Sequence, residues 1–454
     1  MIKHYTCILI FLINCAYLSA QSYMMKVEKK NGETVIRQVD EIKEILFNNV
    51  SIRINNKNNT HTDYNKGTIK NISFSLGENE EKKIYFSLPR SIKSPLDAQL
   101  QLSITNLETN EIYKTTAKLT EGKKIVAKAN IPNGRYSITA RGSINFEKRI
   151  WENFMKKWNV LKMTAQIKAD KEVCLTNNNI SDAIEIPLKT YTDADGFVIT
   201  EVFFASPPSR EYDDQYIKIG NNTDSVKYID GLAIVESGFN TNDSTINNPQ
   251  FKDEMMTITW AYVFPGTGHD YPVQPGKEIV IALNANNYKA KYGSFDLSHA
   301  DFEFYDNTGM DTQNEDVPDL ENWTNVHGGQ TTLSTRGCKS LGLVKIGTDK
   351  ETFKGHFCYS YSEKDVATGF VNPTVSGHVV PNAWAVDVVE IAAQYDRQWN
   401  VFDWELDRGF TYANDHHIGN DYGAAVTRRK VAGKWKDTNN SSTDFLHKQT
   451  PSMY

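Results

Sequence analysis

Along much of the chain, apolar and polar residues alternate one for one in short runs. "AQLQLSITN" (Ala98–Asn106) alternates, "LETNE" turns the chain, and "IYKTTAKL" (Ile112–Leu119) returns. "KIVAKANI" (Lys124–Ile131), the turn "PNG" and "RYSITARG" (Arg135–Gly142) repeat the pattern. Strand side chains point alternately to opposite faces, so this spacing predicts antiparallel hairpins with one buried and one wet face. Upstream, Met25–Val27 and Thr34–Arg37 flank "KNGE", where Asn31-Gly32 predicts a tight hairpin turn. Helical spacing is scarce. In Glu147–Lys162 the residues Ile150, Phe154, Trp158 and Leu161 recur at helical intervals with Lys and Glu between them, which predicts an amphipathic helix. "DEIKEILF" (Asp40–Phe47) fits either a short capped helix or a strand.

After Gly196 the apolar runs become continuous. "FVITEVFFAS" (Phe197–Ser206) predicts a buried strand holding one acid, Glu201. Asp214–Ser237 reads as strand, Asn-rich turn and strand, and Pro275-Gly276 turns the chain into a strand at Glu278–Ala282. "AWAVDVVEI" (Ala383–Ile391) predicts another. The expected fold class is all-β, with two β-sandwich domains. They would span residues 67–190 and 195–454 and join near "TYTDADG" (Thr190–Gly196), a polar stretch with turn formers.

Composition adds the compartment. Lys3 and His4 precede the apolar run Tyr5–Ile13, and Ser19-Ala20 follow, so residues 1–20 read as a cleaved secretory signal and 21–66 as a leader hairpin and linker. Export to the periplasm, the outer-membrane surface or the medium is expected, with Gln21 as the mature start. Lipid attachment at Cys15 competes with this reading, although Asn14 stands where a small residue is wanted. No later stretch is apolar enough for a transmembrane span. The net charge of −6 and the pI near 6.0, without a basic stripe, disfavour nucleic acid as a partner. Cys174, Cys338 and Cys358 are too few for a disulfide framework. Cys338 and Cys358 could pair if they sit on neighbouring strands, or pack as small apolar residues.

Several stretches resemble known families. "MKVEKKNGETVIRQVDEIKEILF" resembles a leader of secreted Bacteroides-type proteins. "IPNGRYSITARG" resembles the closing hairpin of transthyretin-like and carboxypeptidase-regulatory-like domains, which implies a structural module. The last domain resembles the lamin-tail domain, an immunoglobulin-like sandwich. Glu201, Ile219-Gly220-Asn221, Asp230-Gly231-Leu232, Pro275-Gly276, Asp387-Val388, Arg428-Arg429, Asp444-Phe445 and Thr450-Pro451 carry that resemblance, while Lys218 and Ala233 depart from it. A lamin-tail domain is about half as long, so the resemblance implies insertions at Phe239–Met255, Ala300–Arg336 and Asp365–Asn382. "GSFDLSHADFEFYD" (Gly293–Asp306) and "RRKVAGKWKDTNNSSTDF" (Arg428–Phe445) resemble an uncharacterised family of secreted Bacteroides-type proteins that elaborates this fold. Fold and compartment follow from that resemblance, but no chemistry. "DSV" (Asp224–Val226) and "DST" (Asp243–Thr245) resemble O-glycosylation sites of such proteins.

The chain has no Gly-x-Ser-x-Gly elbow, no His-Glu-x-x-His pair and no phosphate loop. "HADFE" puts His299, Asp301 and Glu303 on one side of a strand, a spacing that could ligate a divalent metal such as Ca²⁺, or simply be a polar face opposite Phe302 and Phe304. "FDWELD" similarly predicts Asp403, Glu405 and Asp407 on one strand face, as a Ca²⁺ site or a solvated edge. His416 and His417 fall in a loop, and "DTQNEDVPDLE" (Asp311–Glu321) reads as an acidic exposed insertion. Trp260, Trp323, Trp384, Trp399, Trp404 and Trp435 would fill the core or stack on a glycan. The polar tail Lys436–Ser452 is expected to close the sandwich, with Phe445 as its anchor. The function expected is that of a non-enzymatic, exported envelope module that binds a ligand or partner. That partner would be an outer-membrane or surface protein or a glycan, in company with an outer-membrane uptake system. The alternatives are a carbohydrate-binding protein using the insertions and a metal-dependent hydrolase using His299, Asp301 and Glu303.

Overall fold

A computed structural model gives the structure of the chain. It describes residues 23–453 except 78, 121–123, 153–155, 176–184, 211–212, 245–250, 305–313, 330, 366–367 and 420. The all-β class holds: the helices among the described residues are short, Lys350–His356 being the longest.

Alternation becomes hairpins where it was read. Tyr23–Lys29 pairs antiparallel with Thr34–Gln38, Val27 facing Val35, and Gly32 supplies the left-handed turn residue (φ +89°). "DEIKEILF" resolves to a 3₁₀ turn at Val39–Glu41 and a strand at Ile42–Phe47. Met25, Val27, Ile42, Ile52, Ile54 and Tyr64 bury one small core here. An eight-stranded sheet follows, in which Pro95–Asn106 pairs with Ile112–Leu119, and Ile125–Ile131 with both Ile112–Leu119 and Glu80–Ser87.

The helix expected over Glu147–Lys162 is corrected. Gly134–Glu152 and Lys157–Leu175 are strands. The period that wins is two, not 3.6: Leu161, Met163, Ala165 and Ile167 are buried while Lys162, Thr164 and Gln166 between them are exposed. Trp158, which the helical reading needed on the apolar face, is 62% exposed. Long-range sheet pairing overrode a local coincidence of spacing.

The chain packs as two compact units. One takes the residues up to Leu88 with Asp97–Ser143 and Ile167–Lys189, and the other takes Pro89–Leu96, Ile144–Gln166 and Thr190–Tyr454. In the second unit one long sheet curls so that its two halves share a core. Phe197–Phe203 and Met255–Val263 are buried along their whole length, which is why they read as continuous apolar runs rather than alternating ones. The core joins Phe197, Ile199, Ile217 and Ile281 of one half to Ile234, Trp260, Leu341 and Leu343 of the other. Pro275-Gly276 turns the chain as expected, with Gly276 at φ +69°, and the strand runs Glu278–Ala282. "AWAVDVVEI" forms a strand at Ala385–Val389.

The tail is ordered. Phe445–Gln449 pairs antiparallel with Ala425–Arg428, Phe445 opposite Arg428. Asp444 accepts from the Thr438 amide (2.8 Å) and hydroxyl (2.8 Å), and the Asn440 side chain caps the Ser442 amide (3.2 Å). The polar run before Phe445 thus satisfies its own backbone. Further on, Ser452 donates its amide to Glu201 (2.8 Å) and its hydroxyl to the other Glu201 oxygen, while Lys218 donates to the Ser452 hydroxyl (2.6 Å). The lone acid of the first buried strand is the receptor for the end of the tail.

Candidate functional site

Three neighbouring strands, Ala233–Ser237, Met255–Val263 and Asp319–Asn325, bring Glu236, Trp260 and Asn325 into one cross-strand row. Cross-strand partners share a face, so sheet register alone places an acid, an indole and an amide side by side. These residues line a cleft of about 500 Å³. Its walls come from the loop Asn325–Arg336 and from the segment around Glu363–Asn372, and Asn240 closes one side. All three expected insertions therefore deliver residues to the same cleft: Asn240 from the first, Asn325–Arg336 from the second, and Asp365, Phe370 and Asn372 from the third.

The loop wall is tied down. Gln215 donates to the Leu333 carbonyl (3.1 Å) and accepts from the Leu333 amide (2.9 Å). Asn325 donates to the Gly329 carbonyl (3.0 Å) and the Thr331 hydroxyl (2.9 Å), and Asn414 donates to the Thr335 carbonyl (2.7 Å). Lys339, itself buried, spans the Gly238 carbonyl (2.9 Å) and Glu363 Oε1 (2.8 Å), with His327 Nε2 3.9 Å from the other Glu363 oxygen. Such anchoring holds the wall of the cleft in one conformation.

Two lining residues hold buried polar atoms without a partner, Trp260 Nε1 and Asn240 Oδ1. An unmade buried hydrogen bond costs roughly 1–3 kcal/mol, so each marks a place where a ligand group could gain. The charged lining balances, with Arg336, Lys339 and Lys364 against Glu236, Glu363 and Asp365. Phe370, 68% exposed, gives the rim an apolar face.

Burial pushes the Glu236 carboxyl up from its ordinary 4.5 to about 7, against the attraction of Lys339 and a hydrogen bond from Thr259 (3.2 Å). A group raised on folding stabilises the protein fully below its unfolded pKa and loses that contribution as pH rises through the folded value. Glu390, pushed up to about 8 by burial, acts in the same direction. The melting temperature is therefore expected to fall from pH 4.5 to pH 7, and Glu236→Gln to flatten part of that slope. Thermal scans across this range check it, and parallel profiles for the two proteins would contradict the assignment.

The candidate metal residues are placed as follows. His299 is exposed in a turn, and the strand proper is only Phe302–Phe304. Asp301 accepts from the Val280 amide (2.7 Å). Glu303 is fully buried and accepts from the Ala285 (2.8 Å) and Asn314 (3.0 Å) amides. Among the described residues no group of three or more His, Cys, Asp or Glu is arranged to hold a metal ion.

"FDWELD" is corrected, since it is a turn-rich segment rather than a strand. Asp403 and Asp407 turn inward, and Asp407 accepts from the Glu390 (3.0 Å), Gly409 (3.0 Å) and Ser441 (2.8 Å) amides. Trp404 turns outward between Arg90 and Arg408. The acids here satisfy turn amides, a demand that alternation cannot reveal. His416 and His417 do lie in a loop, both with Nδ1 on Asp396 (3.1 and 2.6 Å). Among the described residues, Cys174, Cys338 and Cys358 form no disulfide. Trp260, Trp384 and Trp435 went to the core.

Residues 274–452 match a family model described as "Protein of unknown function (DUF4876)". The matched region holds most of the cleft's loop walls, while Glu236, Asn240 and Trp260 precede it. The chain is also similar to a crystal structure of a DUF4876 family protein from Bacteroides thetaiotaomicron VPI-5482. Identity is 17%, coverage is 82% of this chain and 96% of that one, and the TM-score is 0.46. A second likeness is to the tetra-tandem repeat in the extending region of a large adhesion protein, with 7% identity, coverage of 59% of this chain and 93% of that one, and a TM-score of 0.09. At those scores neither structure carries a conclusion about this chain. No curated protein matches it. The DUF4876 match agrees with the uncharacterised family read from the sequence and leaves the lamin-tail-like and transthyretin-like details without support.

Proposed function

We propose that this chain is an exported envelope protein whose second unit binds a neutral, hydroxyl-rich ligand, a glycan, in the insertion-lined cleft without transforming it. The observation that supports this most is the convergence of all three insertions on one cleft with unpartnered Trp260 Nε1 and Asn240 Oδ1. Balanced lining charge favours an uncharged ligand, and hydroxyls can both accept from an indole N–H and donate to an amide oxygen. The compartment rests on the signal-like N-terminus, and the lamin-tail resemblance fits a rigid sandwich that displays loops. A metal-dependent hydrolase using His299, Asp301 and Glu303 finds less support, because both Glu303 oxygens already accept backbone amides.

The test is a screen of neutral oligosaccharides, followed by calorimetry on any that bind. Trp260→Phe, which removes the N–H, and Phe370→Ala, at the exposed rim, are each expected to weaken binding about tenfold, the effect of one hydrogen bond or contact worth about 1.4 kcal/mol. The saccharide should be recovered intact. Failure of every neutral saccharide to bind, or binding indifferent to both substitutions, would sink the reading, and cleavage would sink its non-enzymatic part.

A further inference from the structure

Away from the cleft, two tryptophans stand outward on the neighbouring strands Gly134–Glu152 and Lys157–Leu175. Trp151 is 40% and Trp158 62% exposed, and their rings meet edge to face with centroids 5.4 Å apart and planes at 66°. Val160, 43% exposed, continues the same outward row, while Ile150 and Leu161 turn inward. Leaving this much aromatic surface in water is unfavourable, so the patch asks for an occupant.

The surrounding charge says which. Between Glu147 and Lys162 the chain has five basic residues (Lys148, Arg149, Lys156, Lys157, Lys162) and two acidic ones (Glu147, Glu152), a local excess of three positive charges in a chain whose net charge is −6. Lys148 is engaged by Glu254 (2.6 Å). Arg149, Lys156, Lys157 and Lys162 are exposed, and among the described residues none of them is in an ion pair. A sugar-stacking platform would want coplanar rings and no charge. Here the rings are tilted and exposed cations flank them along the chain, an arrangement suited to indoles seated at a bilayer interface with basic groups on lipid phosphates.

We propose that this Trp151–Trp158 patch is a peripheral docking site for an anionic phospholipid surface. The proposal is independent of the glycan reading, since it uses none of the cleft residues.

The test is co-sedimentation of the full chain with vesicles of phosphatidylcholine alone or with about 30% phosphatidylglycerol. Binding is expected to be at least about tenfold stronger with the anionic lipid and to weaken in roughly 0.5 M salt. Trp151→Ala with Trp158→Ala, and separately Lys156→Glu with Lys157→Glu, should each reduce it about tenfold while the circular dichroism spectrum stays that of wild type, because the side chains lie outside the core. Equal binding to both vesicle types, no binding to either, or full binding by the tryptophan variant would overturn the proposal. Capture of a short RNA or an acidic peptide by these same residues, in place of vesicles, would overturn it in favour of that partner.

Discussion

Phe445→Ala is expected to destabilise the second unit by about 3–5 kcal/mol, the usual cost of truncating a well-packed phenylalanine. The side chain is fully buried in the shared core, its ring 4.6 Å from the Arg428 guanidinium carbon. Around it the tail offers little else that is apolar: "NNSST" and "LHKQT" flank the Asp444-Phe445 pair. At roughly 2–4 °C per kcal/mol, the melting transition of the full chain should fall by ten degrees or so. Deleting Lys436–Tyr454 should do at least as much, because it also strips Ala425–Arg428 of one of its two strand partners and Glu201 of Ser452. Leu446→Ala, at a half-buried neighbour, should cost clearly less. If all three variants melted with wild type, the tail would be an ornament and not a closing strand.

That tail shows what the sequence could and could not say. Its one aromatic residue among hydrogen-bonding side chains pointed to a single anchor, and the structure has one. The hairpins of Ala98–Asn106 and Ile112–Leu119 were equally legible, because alternation is a local signal of which face is wet. Glu147–Lys162 misled because four apolar residues happened to fall at helical intervals, and only the partner strand decides between the two periods. The cleft was half legible. Its loop walls lie in the three segments that the lamin-tail resemblance implies as insertions. Its floor was not legible, since Glu236, Trp260 and Asn325 are separated along the chain and meet only through register. The one local hint was an acid inside the apolar strand "AIVES" (Ala233–Ser237), the same hint that Glu201 gives in its own strand. There, as with Asp403 and Asp407, the buried acid serves backbone amides or the tail. An acid in an apolar run announces a buried partner without saying which.

The second large effect belongs to Arg428. Its guanidinium is buried and donates Nε to the Ile199 carbonyl (2.7 Å), Nη2 to Asp387 (2.6 Å) and Nη1 to the Lys436 carbonyl (3.1 Å). Asp387 Oδ2 also accepts the Ile199 amide (2.7 Å), so one ion pair fastens three strands and the start of the tail. Removing one partner of a buried pair leaves a desolvated charge, which typically costs about 3–5 kcal/mol. Arg428→Ala is therefore expected to destabilise by that amount in denaturant unfolding, and it leaves two carbonyls without their donor as well. Arg428→Lys should rescue little, because a single ammonium cannot reach three acceptors that lie around a planar fork. The pair Asp387→Leu with Arg428→Met should cost less than Arg428→Ala alone, since neither charge then has to be buried. If the double variant were instead the weaker protein by the sum of the two single losses, the two residues would be acting independently, and the clasp would not be what holds the tail's strand to the first buried strand of the unit.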